Sequence, residues 1–377
     1  MILSQEQQMI RDSVRAFAAE RLAPNAARWD RDCFFPRDAL KEMGAMGVFG
    51  VTIPEQWGGA GLDYVSLSLT LEEIAAGDGA TSTIASVQTL VCNIFNGYAS
   101  DAQKSSFLKP LAQGRLLGCF CLTEPHTGSD AGAITTRAAR QGDHYVLNGV
   151  KQFITSGKNA GVAVVFAVTD KAAGKKGISA IIVPTDTTGY IVTRIEEKLG
   201  QHASDTAQIA FENCRVPVSN LLGAEGAGYR IALSNLEGGR ICIAAQSVGM
   251  ARAAFEAALK YAHERSTFGK PIIEHQAVNF RLADMATQIE AARQLVWHAA
   301  ALRDAGRPCL KEASMAKLFA SEMVEKVCSD AIQIHGGYGY LVDFPVERIY
   351  RDARVCQIYE GASDIQRMVI GRALAGE

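Results

Sequence analysis

The sequence predicts an α+β chain in which a run of short strands lies between two helical regions. Three observations carry this. Apolar residues recur at helical spacing from the start to about residue 115, with Ile10, Val14 and Phe17 as the first stripe and Glu6 and Glu20 among the polar positions. From Cys119 to about Asn220 the pattern shifts to short β-rich runs. Past Gly228 it becomes helical again, in long periodic segments over roughly 230–263, 275–305 and 311–334.

Taken in order, Pro24 and Pro36 bracket the link between the first two helices, and Trp57-Gly58-Gly59-Ala60-Gly61 forms a loop before the next. Residues 65–71, Val-Ser-Leu-Ser-Leu-Thr-Leu, alternate as a strand does, so local periodicity reads them as β. His144–Leu147 and Lys151–Ile154 flank Asn148-Gly149, which predicts a hairpin. Val162–Val168, Ile178–Val183 and Ala207–Phe211 read as further strands. The glycines at 223, 226 and 228 read as a flexible connector, because no Gly-x-Gly-x-x-Gly follows a strand as dinucleotide binding requires. Gly306-Arg307-Pro308 separates the second long helix from the third, and short loops between helices of this length predict an antiparallel bundle.

Composition narrows the function. With 377 residues, 48% hydrophobic and 21% charged, the chain has ample apolar material for a packed core. A net charge of -2 speaks against a nucleic acid or another polyanion as partner. The nine cysteines show no metal-ligand spacing, Cys119-x-Cys121 having one intervening residue, so no metal is expected. Their odd number and the lack of a leader pattern lead us to expect reduced thiols and a cytoplasmic location. No apolar stretch approaches the ~20 residues that span a bilayer, so membrane insertion is not expected.

Chemistry is most legible near the C-terminus. Glu360 ends an apolar run, Ile358-Tyr359, and precedes Gly361, which permits a tight turn and close approach to a ligand. A carboxylate so flanked is partly desolvated and serves as a stronger base; equally, a glutamate there favours the dipole of a last helix. Tyr359-Glu360-Gly361-Ala362-Ser363-Asp364-Ile365-Gln366-Arg367 decides between these readings, because it resembles the catalytic segment of the acyl-CoA dehydrogenase family. Leu122–Asp130 (Leu-Thr-Glu-Pro-His-Thr-Gly-Ser-Asp), Arg265–Lys270 (Arg-Ser-Thr-Phe-Gly-Lys) and Gln333–Gly337 (Gln-Ile-His-Gly-Gly) match further segments in the family's order.

The resemblance implies an acyl-CoA dehydrogenase-like fold: an N-terminal helical domain over 1–117, a middle β-barrel or sandwich over 118–225 and a C-terminal four-helix bundle over 226–377. It places a helix where residues 65–71 alternate, and we follow it. The implied activity is FAD-dependent α,β-dehydrogenation of an acyl-CoA to the trans-2-enoyl-CoA. Glu360 takes the α-proton, the β-hydride passes to flavin N5, and electrons leave to an electron-transferring flavoprotein. The Glu360 amide and the flavin ribityl chain would polarise the thioester carbonyl.

For the flavin, the resemblance points to Phe120, Leu122, Thr123 and Ser129, in a loop where Pro125 and Gly128 hold an irregular backbone with exposed amides. Phe153, Ile154 and Thr155 match a Trp-Ile-Thr stretch, so the Phe153 ring stacks without an indole N–H. Arg265, Phe268 and Gln276, with Gln333, Gly336 and Gly337, are expected at the diphosphate and nucleotide half. In the family these groups act across a subunit boundary, which implies at least a dimer, and the family's usual assembly leads us to expect a homotetramer built as a dimer of dimers. Ala362 and Asp364 stand where threonine and glutamine are commoner in flavin contacts.

Substrate contacts are expected from Ser129, Tyr359, Gly361, Arg240 and Glu237, although Glu237 equally suits an intrahelical ion pair with Arg240. Some relatives carry the base immediately before the arginine matching Arg240; here that residue is Gly239, so the role falls to Glu360. Gly239 leaves room that suggests a short or branched acyl chain, and residues 87–90 with Cys92 are expected near the pocket floor. Rival readings are a flavin oxidase of the same fold and a nucleic-acid-associated relative. Chain length and a glutamate base disfavour the first, and the net charge disfavours the second.

Overall fold

The computed structural model describes residues 1–376. Helix α1 (Gln5–Phe17) starts at a capping box in which Ser4 and Gln7 satisfy each other's backbone N–H groups. A widened π turn at Ala18–Leu22 carries it into α2 (Ala23–Arg31), with Pro24 in the first turn. Pro24 therefore does not end a helix: the π turn rearranges the hydrogen-bond ladder where proline lacks a donor. Pro36 does mark a boundary, as the cap of α3 (Arg37–Ala45).

Residues 65–71 lie within α4 (Tyr64–Gly77), so the alternating pattern misled and the resemblance was right. Every residue from 65 to 75 is buried, because α4 runs between α1 on one side and the C-terminal helices on the other. A helix covered all round has no polar face to mark its period. Asp63 caps α4, and Asp78 caps α5 (Gly79–Tyr98); the short α6 (Asp101–Gln103) and α7 (Lys109–Ala112) follow.

Eight strands then form one sheet: β1 (Gly118–Cys121), β2 (Arg137–Gln141), β3 (His144–Thr155), β4 (Val162–Val168), β5 (Ile178–Pro184), β6 (Tyr190–Ile195), β7 (Thr206–Pro217) and β8 (Leu221–Leu222). Their order is β6-β7-β3-β2-β4-β5-β8, with β1 parallel to β4. The expected Asn148-Gly149 hairpin is absent, since β3 runs straight through it. The pair instead makes a bulge, where the β3–β7 register jumps between Leu147 and Gly149. Gly149 sits at φ +150° against Thr136, and the Asn148 side chain accepts the Asn213 N–H at 2.9 Å. The true hairpin turn is Gly142-Asp143, between β2 and β3.

The glycines at 223–228 are likewise no slack connector. The Gly226 N–H donates to Ser179 Oγ at 2.9 Å, and a Cβ on Gly228 would lie 2.5 Å from the Ser179 backbone. They seat the start of α8 (Gly228–Glu264) on β5. Two short strands, β9 (Ser266–Thr267) and β10 (Lys270–Pro271), lead to α9 (Gln276–Asp304) and α10 (Leu310–His335), close to the predicted segments. These three long helices pack on one another, and α11 (Pro345–Ala353) and α12 (Ser363–Ala375) lie on α10.

All nine cysteines are free thiols. Among the described residues no helix is long and apolar enough to cross a membrane, and no cluster of three or more His, Cys, Asp or Glu side chains could hold a metal ion.

A Cβ at Gly149 would sit 2.5 Å from Thr136 Oγ1 on a backbone that disfavours side chains. Gly149→Ala is expected to destabilise the protein by about 2 kcal/mol or more, read as a lower urea midpoint with an unchanged denaturant slope.

Candidate active site

The centre of the site is a backbone turn between α11 and α12. Glu360 has φ +52° and Gly361 φ +85°, two successive left-handed residues. For a glutamate this costs about 1 kcal/mol or more, so other contacts must enforce it. Gln366 on α12 donates through Nε2 to the carbonyls of Gly361 (2.7 Å) and Glu360 (3.1 Å), and Lys317 on α10 donates to the Gly361 carbonyl at 2.7 Å. Gly361 has no room for a side chain, since a Cβ would meet Gln366 Nε2 at 2.6 Å.

The turn lays the Glu360 carboxyl across α8 at Gly239, where a Cβ would come within 2.8 Å of Oε2. The room left by Gly239 is thus filled by the carboxyl rather than open to an acyl branch. Although the residue is partly exposed, Oε2 is fully buried and has no hydrogen-bond partner in the protein. Burial raises the pKa of Glu360 to about 7, against the pull of Arg240 and Lys317 towards the charged form. Arg240 is buried as well; its Nε is unpartnered, and Nη1 reaches only Ser314 Oγ, at 3.4 Å. A buried acceptor and a buried donor both lacking partners fit a polar ligand group between these helices.

Glu237 pairs with Arg303 of α9 at 2.9 Å and accepts the Cys309 thiol at 3.1 Å. The intrahelical pair with Arg240 does not form. Tyr359 turns its hydroxyl inward to Gln246 Oε1 at 3.1 Å. Gln246 Nε2 donates to Thr83 Oγ1, which donates to Gln201 Oε1, both at 2.7 Å, and the Gln201 N–H reaches the Asp352 carboxylate. One buried chain of hydrogen bonds thereby ties α5, the loop before β7, α8 and α11 to the residue before Glu360. Of residues 87–90 and Cys92, only Val87 is not fully buried; Gln88 is consumed by Leu111, Leu116 and Gly118.

A second group forms around β1 and β3. Lys151 Nζ donates to the Leu122 carbonyl (2.9 Å), and the Gln152 N–H donates to the Thr123 carbonyl (2.9 Å). Because N–H and C=O point opposite ways in a trans peptide, the Thr123 N–H faces away from Lys151. Glu124 lies inside the loop, bonded to Lys151 Nζ (2.8 Å), both N–H groups of Thr135 and Thr136, and the Thr135 hydroxyl. Burial opposes its charge, but Lys151 and these donors hold its pKa down to about 2. Leu122 and Ile154 are buried, Phe120 packs tilted against Phe166 with ring centroids 4.9 Å apart, and Thr123 and Thr155 are half-buried. Phe153 is 63% exposed at φ +59°, and Ser129 is exposed nearby in sequence to this loop. A flat apolar ring presented outward, beside a free amide edge, fits an isoalloxazine, which is apolar on its faces and polar at its rim.

A third group lies at the end of α8. Arg265, Tyr261, Thr267, His335, Gly336 and Gly337 line a hollow of about 400 Å³. The Arg265 guanidinium lies 6.0 Å over the Tyr338 ring. Phe268, 98% exposed, and Gln276 and Gln333, both exposed, lie outside the hollow. No hydrogen bond or shared cavity joins this hollow to Glu360. Ala362 offers no polar side chain, and Asp364 is turned to solvent beside Arg367, at 3.7 Å. Lys317 was not singled out from the sequence, and Gln366 appeared only as one position of the 359–367 motif; the signal for Lys317 was the i, i+3, i+7 polar spacing of Ser314, Lys317 and Ser321 along α10.

Comparison with known proteins gives the family. The N-terminal, middle and C-terminal domains of acyl-CoA dehydrogenase match residues 4–115, 119–214 and 226–375. The chain is 49% identical over 377 residues to an acyl-CoA dehydrogenase of Bacillus subtilis, covering 100% of each. Butyryl-CoA dehydrogenase from Megasphaera elsdenii superposes with a TM-score of 0.97 at 40% identity, over 100% of this chain and 99% of that one. A structure from work on the electron transferring flavoprotein of Acidaminococcus fermentans superposes with a TM-score of 0.99 at 46% identity, over 100% of each chain. With all three domains matched and 49% identity to one member over its whole length, this chain belongs to the FAD-dependent acyl-CoA dehydrogenase family.

Proposed function

We propose that Glu360 is the base that removes the α-proton of a short-chain acyl-CoA, yielding the trans-2-enoyl-CoA. The observation that carries this is the buried, unpartnered Oε2 above Gly239. A carboxylate with a pKa near 7 is a far better proton acceptor than a solvated one; it is about half ionised at neutral pH and ionised at alkaline pH. The Glu360 N–H has no backbone or side-chain acceptor in the protein, which leaves it free for the thioester carbonyl. Arg240, Tyr359, Gly361, Ser129 and Glu237 would shape the way in for the substrate.

Bound FAD supplies the acceptor for the second hydrogen. Phe153 would cover its ring, with Phe120, Leu122 and Ile154 behind and Thr123, Thr155 and Ser129 at its polar rim. Arg265 and the Gly336-Gly337 backbone suit a diphosphate, and Phe268, Gln276 and Gln333 would flank it. Ala362 and Asp364 would meet the cofactor, if at all, through the backbone, since alanine has no polar side chain and the Asp364 carboxylate is turned to solvent beside Arg367. Likeness to the butyryl-CoA enzyme supports a short chain, and likeness to the Acidaminococcus structure supports an electron-transferring flavoprotein as partner. Phe268, Phe280, Tyr340 and Val342 are 98%, 58%, 87% and 80% exposed, which supports association of copies, here proposed as a homotetramer. Cytoplasmic location accords with the nine free thiols.

Glu360→Gln is expected to retain FAD and to lose flavin bleaching by butyryl-CoA under anaerobic conditions by at least about 10³-fold; bleaching at the wild-type rate would sink the assignment. Because the base works only when deprotonated, the rate of that bleaching should fall as pH drops through about 7, and a profile flat through that region would count against it. In Gly239→Ala the atom met is the mobile end of a side chain, so folding should be nearly unchanged. The displaced carboxyl should nonetheless slow bleaching on the order of 10- to 100-fold, which stopped-flow absorbance would resolve.

A further inference from the structure

We infer that Lys317 on α10 is a positioning residue for the base, holding the Glu360–Gly361 turn jointly with Gln366 and placing a positive charge near the carboxyl. The inference rests on the reading of Glu360 as base.

The first ground is the cost of placing a lysine there. Lys317 is 0% exposed, and its one hydrogen bond is to the Gly361 carbonyl. An ammonium carries three donors, so burying it on a single neutral acceptor is unfavourable unless its charge is used. The same side of α10 is otherwise small, with Ala313, Ala316 and Ala320 all buried, so packing alone does not call for a long cation.

The second ground is mechanical. The Gly361 carbonyl accepts from Lys317 and Gln366 together, and Gln366 also holds the preceding carbonyl. With both carbonyls drawn towards α10 and α12, residues 360 and 361 stay left-handed and the carboxyl is delivered to α8. Release of the carbonyls would let Glu360 relax to an ordinary backbone and swing the carboxyl away from Gly239.

The third ground is electrostatic. The charged and titratable groups facing this carboxyl and this ammonium are Arg240 and Cys242 on α8, Glu322 on α10 and Cys356 in the turn before Tyr359. Arg240 and Lys317 alone favour the ionised carboxyl. Burial pulls the Lys317 ammonium down to about 8, so it remains mostly charged at neutral pH. Removing that charge must raise the pKa of Glu360 further, because one of two opposing cations is lost.

The test uses the FAD-loaded enzyme and anaerobic flavin bleaching by butyryl-CoA, followed across pH. Lys317→Met should move the acid inflection upward by about one pH unit and lower the limiting rate on the order of 10- to 100-fold, with a smaller change in apparent KM. Lys317→Arg should return the inflection to its wild-type position. Gln366→Leu keeps the cation and loosens only the turn, so it should slow bleaching with the inflection unmoved; it also serves as the test should Lys317→Met fail to fold. An unmoved inflection in Lys317→Met, or a wild-type rate in Gln366→Leu, would overturn the inference. Persistent bleaching in Glu360→Gln would instead overturn the base assignment, so the two failures are told apart.

Discussion

A carboxyl group removed from water without a contacting counter-charge is the constraint on which the rest of this structure turns. Two glutamates show what contact decides. Glu124 touches the buried Lys151 ammonium and accepts backbone N–H groups, and its pKa is held down to about 2. Glu360 has its Oε2 buried with its cations, Arg240 and Lys317, kept out of hydrogen-bond range, and its pKa rises to about 7. The first arrangement shapes a loop; the second leaves a reactive group. A direct ion pair at Glu360 would have cancelled the shift that suits it to proton abstraction.

Such burial demands close approach of backbones, and α8 supplies it with missing side chains. Tyr64 closes on Gly238, the Glu360 carboxyl on Gly239, and the α4 backbone on Gly249, where a Cβ would come within 2.1 Å of the Glu72 carbonyl. The hydrogen-bond chain from Tyr359 through Gln246, Thr83 and Gln201 to Asp352 then ties the turn to both helical regions and to the sheet. Misplacing any of these elements would move the carboxyl, which explains why so small a group is anchored by residues far apart in the chain.

Backbone strain recurs where ligands are expected. Phe153, Phe268 and Glu360 are among seven non-glycine residues at positive φ in the described chain, and each belongs to a different group of the site. Phe153 and Phe268 also point apolar rings outward, at 63% and 98% exposure. Strain of this kind persists when the surroundings over-determine it, and here those surroundings are the β3–β7 pairing, the β9–β10 turn and the Lys317–Gln366 clamp.

The sequence by itself determined the helix–strand–helix order, the extents of α8, α9 and α10 within a few residues, and the motif residues at 122–130, 265–270, 333–337 and 359–367. Those features are written locally, in periodicity, glycine and proline punctuation, and contiguous strings. Local signals failed where one pattern serves two structures: residues 65–71 alternate yet are helical because both sides are covered, and Asn148-Gly149 bends a strand instead of ending it. Only the tertiary structure decided that Glu237 pairs with Arg303 rather than Arg240, that Gly239 is bare for the sake of Glu360, and that Lys317 and Gln366 hold its turn. Lys317 and Gly361 are 44 residues apart, and no local pattern encodes a contact that exists only once α10 is laid beside the turn.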